Sequence, residues 1–167
     1  MIYIGIGSNL GNRIRNIENS KYLLKINGID IIRTSGYYET LSWPDPSKPK
    51  FINIVIQSNT NFSPKKLLKI FKIIEHKLGR IRSIRNAPRT CDIDLISYRN
   101  RILSNSISIP HKSMNKRNFV LFPLFEVAPH WMHPKSKKSI KKLIFSLPIK
   151  DITSIKQIWF NGILIEC

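Results

Sequence analysis

The chain has 167 residues, of which 42% are hydrophobic and 23% charged, and this balance excludes an intrinsically disordered protein and fits one domain with its own core. The formal net charge of +18 favours anionic partners or substrates, although a lysine-rich surface with no specific role is an equal alternative. The two cysteines lie far apart, which excludes a disulfide framework. The sequence shows neither a signal-peptide pattern nor a long apolar segment, and we therefore expect a cytoplasmic protein without a membrane partner.

The first part of the chain predicts two strands separated by a helix. Residues 2–7, IYIGIG, are apolar and β-branched and predict a buried strand. Residues 12–26 repeat apolar positions at helical spacing, and residues 28–40, GIDIIRTSGYYET, predict a second strand that enters a loop. Three prolines in LSWPDPSKPK, residues 41–50, exclude regular structure there.

A third strand, a second helix and a fourth strand follow. The alternation in FINIVIQ places isoleucines on one face and three other side chains, Phe51, Asn53 and Val55, on the opposite face. Ser63 and Pro64 are typical of a helix start, and Gly79 is typical of a helix end. The segment CDIDLIS then predicts the fourth strand.

The resulting order, β-α-β-β-α-β, predicts an α+β, ferredoxin-like sandwich with C-terminal additions. Those additions follow Tyr98 and consist of four predicted segments. They are a strand-like segment at 102–110, an apolar segment at 119–129, a lysine-rich helix at about 137–146 and a hairpin on Asn161-Gly162.

Two carboxylates leave the same face of the predicted fourth strand. Asp92 and Asp94 stand at positions i and i+2, whereas Cys91, Ile93 and Leu95 face the core. Carboxylates about 7 Å apart along a strand repel each other unless a cation lies between them. Hard oxygen ligands favour Mg²⁺, which completes its octahedron with water and phosphate oxygens. The alternative is an exposed strand face with two solvated acids.

Four arginines directly precede these acids, and their planar forks suit phosphate oxygens. They are Arg80, Arg82, Arg85 and Arg89. The alternative is a basic surface loop that contacts a nucleic acid backbone or has no partner. The position of the arginines beside the two carboxylates favours phosphoryl-type transfer. No Walker A motif is present in the sequence, so any ATP site follows another design.

Four segments occur in an order that resembles the 6-hydroxymethyl-7,8-dihydropterin pyrophosphokinases of folate biosynthesis. They are YIGIGSNLGNR, FINIVI, GRIRSIRNAPRTCDIDLI and IPHKSMNKRNFVLFPLFEVAP, and the resemblance covers roughly residues 2 to 130. The resemblance implies an enzyme that moves pyrophosphate from ATP to the hydroxymethyl oxygen of the reduced pterin and releases AMP. We therefore expect one catalytic domain over residues 1–167, with a tail from about 135 to 167. We further expect small-molecule substrates, a monomer and no requirement for nucleic acid.

The resemblance also assigns roles to individual residues. It implies that Asp92 and Asp94 hold two Mg²⁺ ions on the triphosphate and that Arg80 and Arg82 close over ATP. The expected ATP-side residues are Glu75, Arg85, Arg89, His111 and Arg117. The expected pterin-side residues are Thr40, Trp43, Phe51, Asn53 and Phe119, with the two phenylalanines stacking on the ring and the asparagine pairing with its polar edge.

The chain departs from the family pattern at two places. Asn86-Ala87 replace a Trp-Gly pair that many members carry, which leaves Trp43 of the proline-rich loop as a candidate substitute for the aromatic lid. Lys112 follows the histidine where a tyrosine is common. An RNA-binding module of the same fold remains the alternative function. Such a module needs a glycine and several aromatics on its third strand, where this chain has one aromatic and an asparagine.

Overall fold

The computed structural model describes residues 1–80, 86–104 and 107–158. This part of the chain forms six strands and five helices around one sheet. In chain order they are β1 (Ile2–Ser8), α1 (Arg13–Ile26), β2 (Asp30–Thr34), β3 (Tyr37–Thr40), β4 (Phe51–Asn59), α2 (Pro64–Lys77), β5 (Asp92–Tyr98), α3 (Asn118–Val127), α4 (Ile140–Phe145), α5 (Ile149–Ser154) and β6 (Lys156–Ile158).

The sheet is antiparallel with the strand order β5-β1-β4-β3-β6, and β2 also pairs with β4. This topology confirms the predicted ferredoxin-like α+β fold. The predicted second strand is divided into β2 and β3, because Ser35 and Gly36 leave the regular ladder. The Ser35 backbone N–H donates to the Val55 carbonyl and its hydroxyl accepts from the Val55 N–H, while the Gly36 N–H donates to the Glu126 carboxylate of α3.

One core lies between the sheet and the helices α1 and α2. The helix starts follow the sequence prediction, since the side chains of Asn12 and Ser63 accept hydrogen bonds from backbone N–H groups in the first turns. Gly79 ends α2 with a φ of +80°, a conformation that favours glycine. The isoleucines predicted to share one face of β4 are buried there together with the apolar stripe of α2, namely Ile52, Ile54, Ile56, Leu67, Phe71 and Ile74.

The opposite face of the sheet carries a second core, built by the C-terminal additions. The apolar segment at 119–129 is the helix α3, whose Val120, Leu121 and Leu124 are buried against Tyr3 and Val55. The helix is fixed to the sheet by Glu126, whose carboxylate accepts hydrogen bonds from Gly36 and from the Tyr38 hydroxyl. This packing covers part of the face and leaves the region near Asp92 and Asp94 to form a cleft.

The remaining C-terminal predictions have mixed outcomes. The strand predicted at 102–110 is wrong for the described residues, which show only an isolated bridge between Leu103 and Ile109. The lysine-rich helix is confirmed as α4, although Ser139 caps it and it begins only at Ile140. β6 pairs with β3, and the predicted turn at Asn161-Gly162 lies outside the described residues. None of the helices in the described ranges is long and apolar enough to cross a bilayer.

The thiol of Cys91 gives a direct test of this packing. The residue directly precedes β5 and is 1% exposed in the core under the sheet, and burial raises its pKa to about 12. A raised pKa lowers the thiolate fraction, so we expect Cys91 in a Cys167→Ser variant to react with a disulfide reagent at pH 8 at least about a hundredfold more slowly than in denaturant. The same variant unfolded in guanidinium is the control. Rapid labelling of the native protein would contradict the predicted strand orientation.

Candidate active site

Two glycines of β1 form the floor of the cleft. Gly7 pairs with Asn53 on β4 and with Asp92 on β5, and Gly5 pairs with Asp94. A Cβ atom on Gly7 would lie 2.6 Å from the Asn53 Oδ1 atom, closer than nonbonded atoms approach. The two glycines give this face of β1 no side chain, which leaves open space between the polar groups of the neighbouring strands.

The cleft encloses about 380 Å³, including the part open to solvent. One wall is the carboxylate-bearing strand β5, and the other comes from β4 and the start of α3. The residues that line it are Gly5, Ile6, Gly7, Asn53, Ile54, Asp92, Asp94, Ile96, His111, Phe119 and Val120. Five of the residues predicted from the sequence thus come together in one concave, mixed polar and apolar site, which is the usual character of a small-molecule site.

Asp92 binds two arginines. Arg80 Nη1 lies 2.6 Å from Asp92 Oδ1, and Arg89 Nη2 lies 2.8 Å from Asp92 Oδ2. Arg80 also pairs with Glu75 of α2, whose Oε1 atom accepts a hydrogen bond of 2.9 Å from the backbone N–H of Ile93. Because β5 is an edge strand and α2 packs on the opposite side of the sheet, Arg80 links the two faces around this edge.

The negative charge of Asp94 is less well neutralised than that of Asp92. Among the residues that the structure describes, Asp94 forms an ion pair with Arg117, with 3.6 Å between Nη1 and Oδ2. Burial in the cleft, and then the negative charge of Asp92, raise the pKa of Asp94. Burial also lowers the pKa of His111, although the nearby acids oppose this shift. His111 Nδ1 accepts a hydrogen bond from the backbone N–H of Ser113, and this partner assigns the proton of the neutral ring to Nε2.

The two aspartates fit a divalent cation. They supply hard oxygen donors on one strand face, and the raised pKa of Asp94 reflects a negative charge that a cation would neutralise. Within residues 1–80, 86–104 and 107–158, no group of three or more His, Cys, Asp or Glu side chains is placed to hold a metal. A cation here would therefore take its other ligands from water or from a substrate, as Mg²⁺ commonly does.

The predicted pterin-side residues surround the other end of the cleft. Asn53 Nδ2 donates to Thr40 Oγ1 at 3.2 Å, which leaves Asn53 Oδ1 beside Gly7. Phe51 borders the same glycine and lies under the Arg89 guanidinium, with 5.2 Å from Cζ to the ring centroid. Phe119 lines the cleft directly.

Other predicted site residues lie around the cleft rather than in its lining. Thr40 is buried behind Asn53, and Glu75 acts on Arg80 from the helical side of the sheet. Trp43 is 58% exposed, and its ring contacts the Arg117 guanidinium. Arg82 and Arg85 lie outside the described residues.

Asn9 positions the segments beside the cleft, and it was not among the residues predicted from the sequence. Its side chain is 3% exposed, and its Oδ1 accepts a 2.7 Å hydrogen bond from the Arg89 N–H. Its Nδ2 donates to the Pro49 carbonyl and contacts the Ser42 hydroxyl. Asn9 therefore joins the proline-rich loop to the segment that carries Arg89. The only sequence signal was an amide between two glycines, because its three partners, Ser42, Pro49 and Arg89, lie 33 to 80 residues away.

Comparison with known proteins identifies one family. Residues 3–129 match the family model of 7,8-dihydro-6-hydroxymethylpterin-pyrophosphokinase (HPPK). The chain is 39% identical over 143 residues to the 2-amino-4-hydroxy-6-hydroxymethyldihydropteridine pyrophosphokinase of Synechocystis sp., covering 84% of this chain and 73% of the relative. It is 36% identical over 155 residues to the folic acid synthesis protein fol1 of Pneumocystis carinii, covering 92% of this chain and 21% of that protein.

Solved structures with the same fold include HPPK-DHPS of Plasmodium falciparum with SDX-DHP, at a TM-score of 0.73 and 15% identity. An HPPK-DHPS complex with substrates has a TM-score of 0.71 and 14% identity. This chain is covered to 95% in both comparisons, but it spans only 47% and 46% of those chains. At these identities the structural likeness shows the fold.

The role of Asn9 can be tested by Asn9→Ala. The substitution removes the acceptor of the Arg89 N–H and the donor to Pro49, and we expect a loss of about 1–3 kcal/mol in the free energy of unfolding. The Arg89 amide should also exchange its hydrogen faster. Asn59→Ala, at an exposed position of β4, is the matched control. Equal stability losses in the two variants would remove the proposed link between the loops.

Proposed function

This chain belongs to the 7,8-dihydro-6-hydroxymethylpterin-pyrophosphokinase family, and from that membership we propose that it transfers pyrophosphate from ATP to 6-hydroxymethyl-7,8-dihydropterin. The hydroxymethyl oxygen attacks the β-phosphorus, the bond between that phosphorus and the α,β-bridging oxygen breaks, and AMP leaves. The observation that supports this reaction is the pair of carboxylates on one face of β5, with Arg80, Arg89 and Arg117 around them.

We propose that Asp92 and Asp94 hold two Mg²⁺ ions together with the triphosphate of ATP. Bound magnesium would withdraw negative charge from the phosphate oxygens and so favour attack at phosphorus. The two carboxylates supply only part of an octahedral ligand set, which leaves positions for phosphate oxygens and water.

The cationic groups of the cleft would bind the rest of the triphosphate. Arg80 and Arg89 already lie at Asp92, so their planar forks are close to the place where phosphate oxygens would be held. The Nε2–H of neutral His111 is a further donor at the cleft, and Arg117 is a cation beside Asp94. Arg82 and Arg85 complete the proposed arginine set, and Glu75 contributes by holding Arg80.

At the pterin end of the cleft, the proposed reaction depends on the placement of the hydroxymethyl group and not on a strong base. An alcohol nucleophile gains most from being held in line with the phosphorus that it attacks. The bond from Asn53 Nδ2 to Thr40 fixes the amide, so that Asn53 Oδ1 is available to accept from a donor on the pterin edge. Phe51 and Phe119 are proposed to stack on the ring, and Trp43 to cover it.

The proposal extends to the protein as a whole. We propose one catalytic domain over residues 1–167 that acts as a cytoplasmic monomer on small-molecule substrates, with ATP supplied by the same compartment. The RNA-binding alternative has no support in the comparisons, and β4 carries Phe51 as its one aromatic. The carboxylates of β5 would also repel an RNA backbone.

The reaction predicts a distinctive product. Incubation of the protein with ATP, Mg²⁺ and 6-hydroxymethyl-7,8-dihydropterin should give AMP and the pterin diphosphate in equal amounts, with no ADP. Separation of the nucleotides by chromatography measures this ratio, and addition of EDTA should stop the reaction because the proposed ions are removed. Production of ADP, or turnover that persists in EDTA, would contradict the proposal.

The metal-binding role predicts opposite effects of Asp94→Asn on activity and on stability. We expect kcat/KM to fall by roughly two to three orders of magnitude, since a neutral amide is a poor ligand for Mg²⁺. The raised pKa of Asp94 means that its ionised form is disfavoured in the folded state, so Tm at pH 7 should be unchanged or higher. Asp30→Asn, at an exposed position of β2, is the control. Full activity of Asp94→Asn would remove the metal assignment.

A further inference from the structure

The junction between α4 and α5 exposes two large apolar side chains. Phe145, in the last turn of α4, is 82% exposed, and Ile149, at the start of α5, is 79% exposed. These are the highest values among the large apolar residues in the part of the chain that the structure describes. Exposed apolar surface that is concentrated in one place and surrounded by polar residues is typical of an interaction surface.

The backbone that carries these two side chains is held in place. Leu143 and Leu147, on either side of Phe145, are buried in the second core. On the α5 side, Asn118 Nδ2 donates a 2.6 Å hydrogen bond to the carbonyl of Asp151 and so ties α5 to the first residue of α3. The exposure is therefore a property of a folded surface and not of a loose chain end.

The segment around this junction is uniformly basic. Residues 127–150 contain no Asp, Glu or Arg and six lysines, which are all exposed, namely Lys135, Lys137, Lys138, Lys141, Lys142 and Lys150. Lys141 and Lys142 precede Phe145 by four and three residues, so the ring lies on the outward face of α4 with an ammonium group on each side. Lys141, Lys142, Phe145, Ile149 and Lys150 are called the α4–α5 tip below.

The composition of the tip matches an anionic phospholipid surface. Peripheral membrane binding combines apolar side chains that enter the headgroup region with lysines that attract anionic headgroups. A nucleic acid would use the lysines, but it offers no apolar surroundings to an aliphatic side chain such as Ile149. Protein interfaces are enriched in arginine and depleted of lysine, which is the opposite of this segment.

We propose that the α4–α5 tip binds an anionic phospholipid surface, with Phe145 and Ile149 at the level of the headgroups and the lysines against their charges. This inference goes beyond the proposed function and does not depend on it, and no residue of the tip lines the cleft. Such binding is peripheral and reversible and needs no spanning helix. The sequence-based expectation of no membrane partner considered only a signal peptide and a spanning segment.

Co-sedimentation with vesicles at about 0.15 M salt tests the proposal. The full chain should bind vesicles of equal parts phosphatidylglycerol and phosphatidylcholine at least about tenfold more tightly than vesicles of phosphatidylcholine alone. Phe145→Ser combined with Ile149→Ser should weaken binding to the mixed vesicles at least about tenfold, because the apolar contact is lost. No binding of the wild type to the mixed vesicles would overturn the proposal.

The matched control for the apolar residues is Ile73→Ser. Ile73 is 56% exposed on α2, a helix that also carries exposed lysines. We expect this variant to bind the mixed vesicles within about twofold of the wild type. A loss equal to that of the combined tip variant would mean that any exposed apolar residue contributes as much, and the assignment to the tip would be wrong.

The lysines are tested by two pairs of substitutions that remove the same charge. Lys141→Gln with Lys142→Gln should weaken binding to the mixed vesicles at least about fivefold. Lys69→Gln with Lys72→Gln, at exposed positions of α2, should change it by no more than about twofold. Equal losses would show that the net charge of the whole surface causes the binding, and would overturn the proposal.

Phe145→Trp measures insertion directly and does not depend on the folding of the serine variants. The indole should retain vesicle binding, and its emission should shift to shorter wavelength on the mixed vesicles by more than the wild-type emission does. Emission that shifts no more than in the wild type would contradict insertion.

Polyglutamate and oligouridylate are the probes for an acidic protein and for a nucleic acid. Melting temperatures near that of the wild type confirm that the variants are folded. If Phe145→Ser with Ile149→Ser binds the mixed vesicles as the wild type does but loses affinity for either polymer, the tip serves that other partner and the membrane proposal is wrong.

Discussion

The repulsion between two carboxylates on one strand face is the constraint on which the site depends. The pleat of β5 places Asp92 and Asp94 side by side, and antiparallel pairing places both next to the bare backbone of β1. Asp92 is neutralised by Arg80 and Arg89, whereas Asp94 has one ion pair within the described residues, with Arg117 at 3.6 Å, and a raised pKa. The protein therefore holds negative charge that a cation would stabilise, in a cleft that is also bordered by guanidinium groups.

The edge position of β5 explains how so many charges are held without loss of the fold. An edge strand has backbone groups without a partner strand, and here Glu75 accepts from the Ile93 N–H on that edge. The same carboxylate fixes Arg80, which crosses the edge to Asp92. One buried acid on the helical side thus satisfies the strand and positions a cation on the opposite face.

The C-terminal additions cover part of the second face of the sheet and so define the cleft. In a simple two-layer sandwich, the face opposite α1 and α2 would be open to solvent. Here α3 and α4 pack on part of that face and bury a second core, while Glu126 fixes α3 to the gap between β2 and β3. The cleft is the part of the face that these helices do not cover, and Phe119 at the start of α3 becomes one of its walls.

The sequence by itself determined the order of the main elements, the shared face of the β4 isoleucines and the shared face of Asp92 and Asp94, because these follow from local periodicity and capping. It also carried enough of the family's motifs to predict the reaction. The tertiary structure decided which loops meet. The contacts of Asn9, the path of Arg80 around the sheet edge and the placement of Arg117 against Trp43 join residues far apart in the chain. The sequence did not predict the helix α3 either. A short run of apolar residues shows no helical or strand periodicity, so its secondary structure is decided by the surface on which it packs.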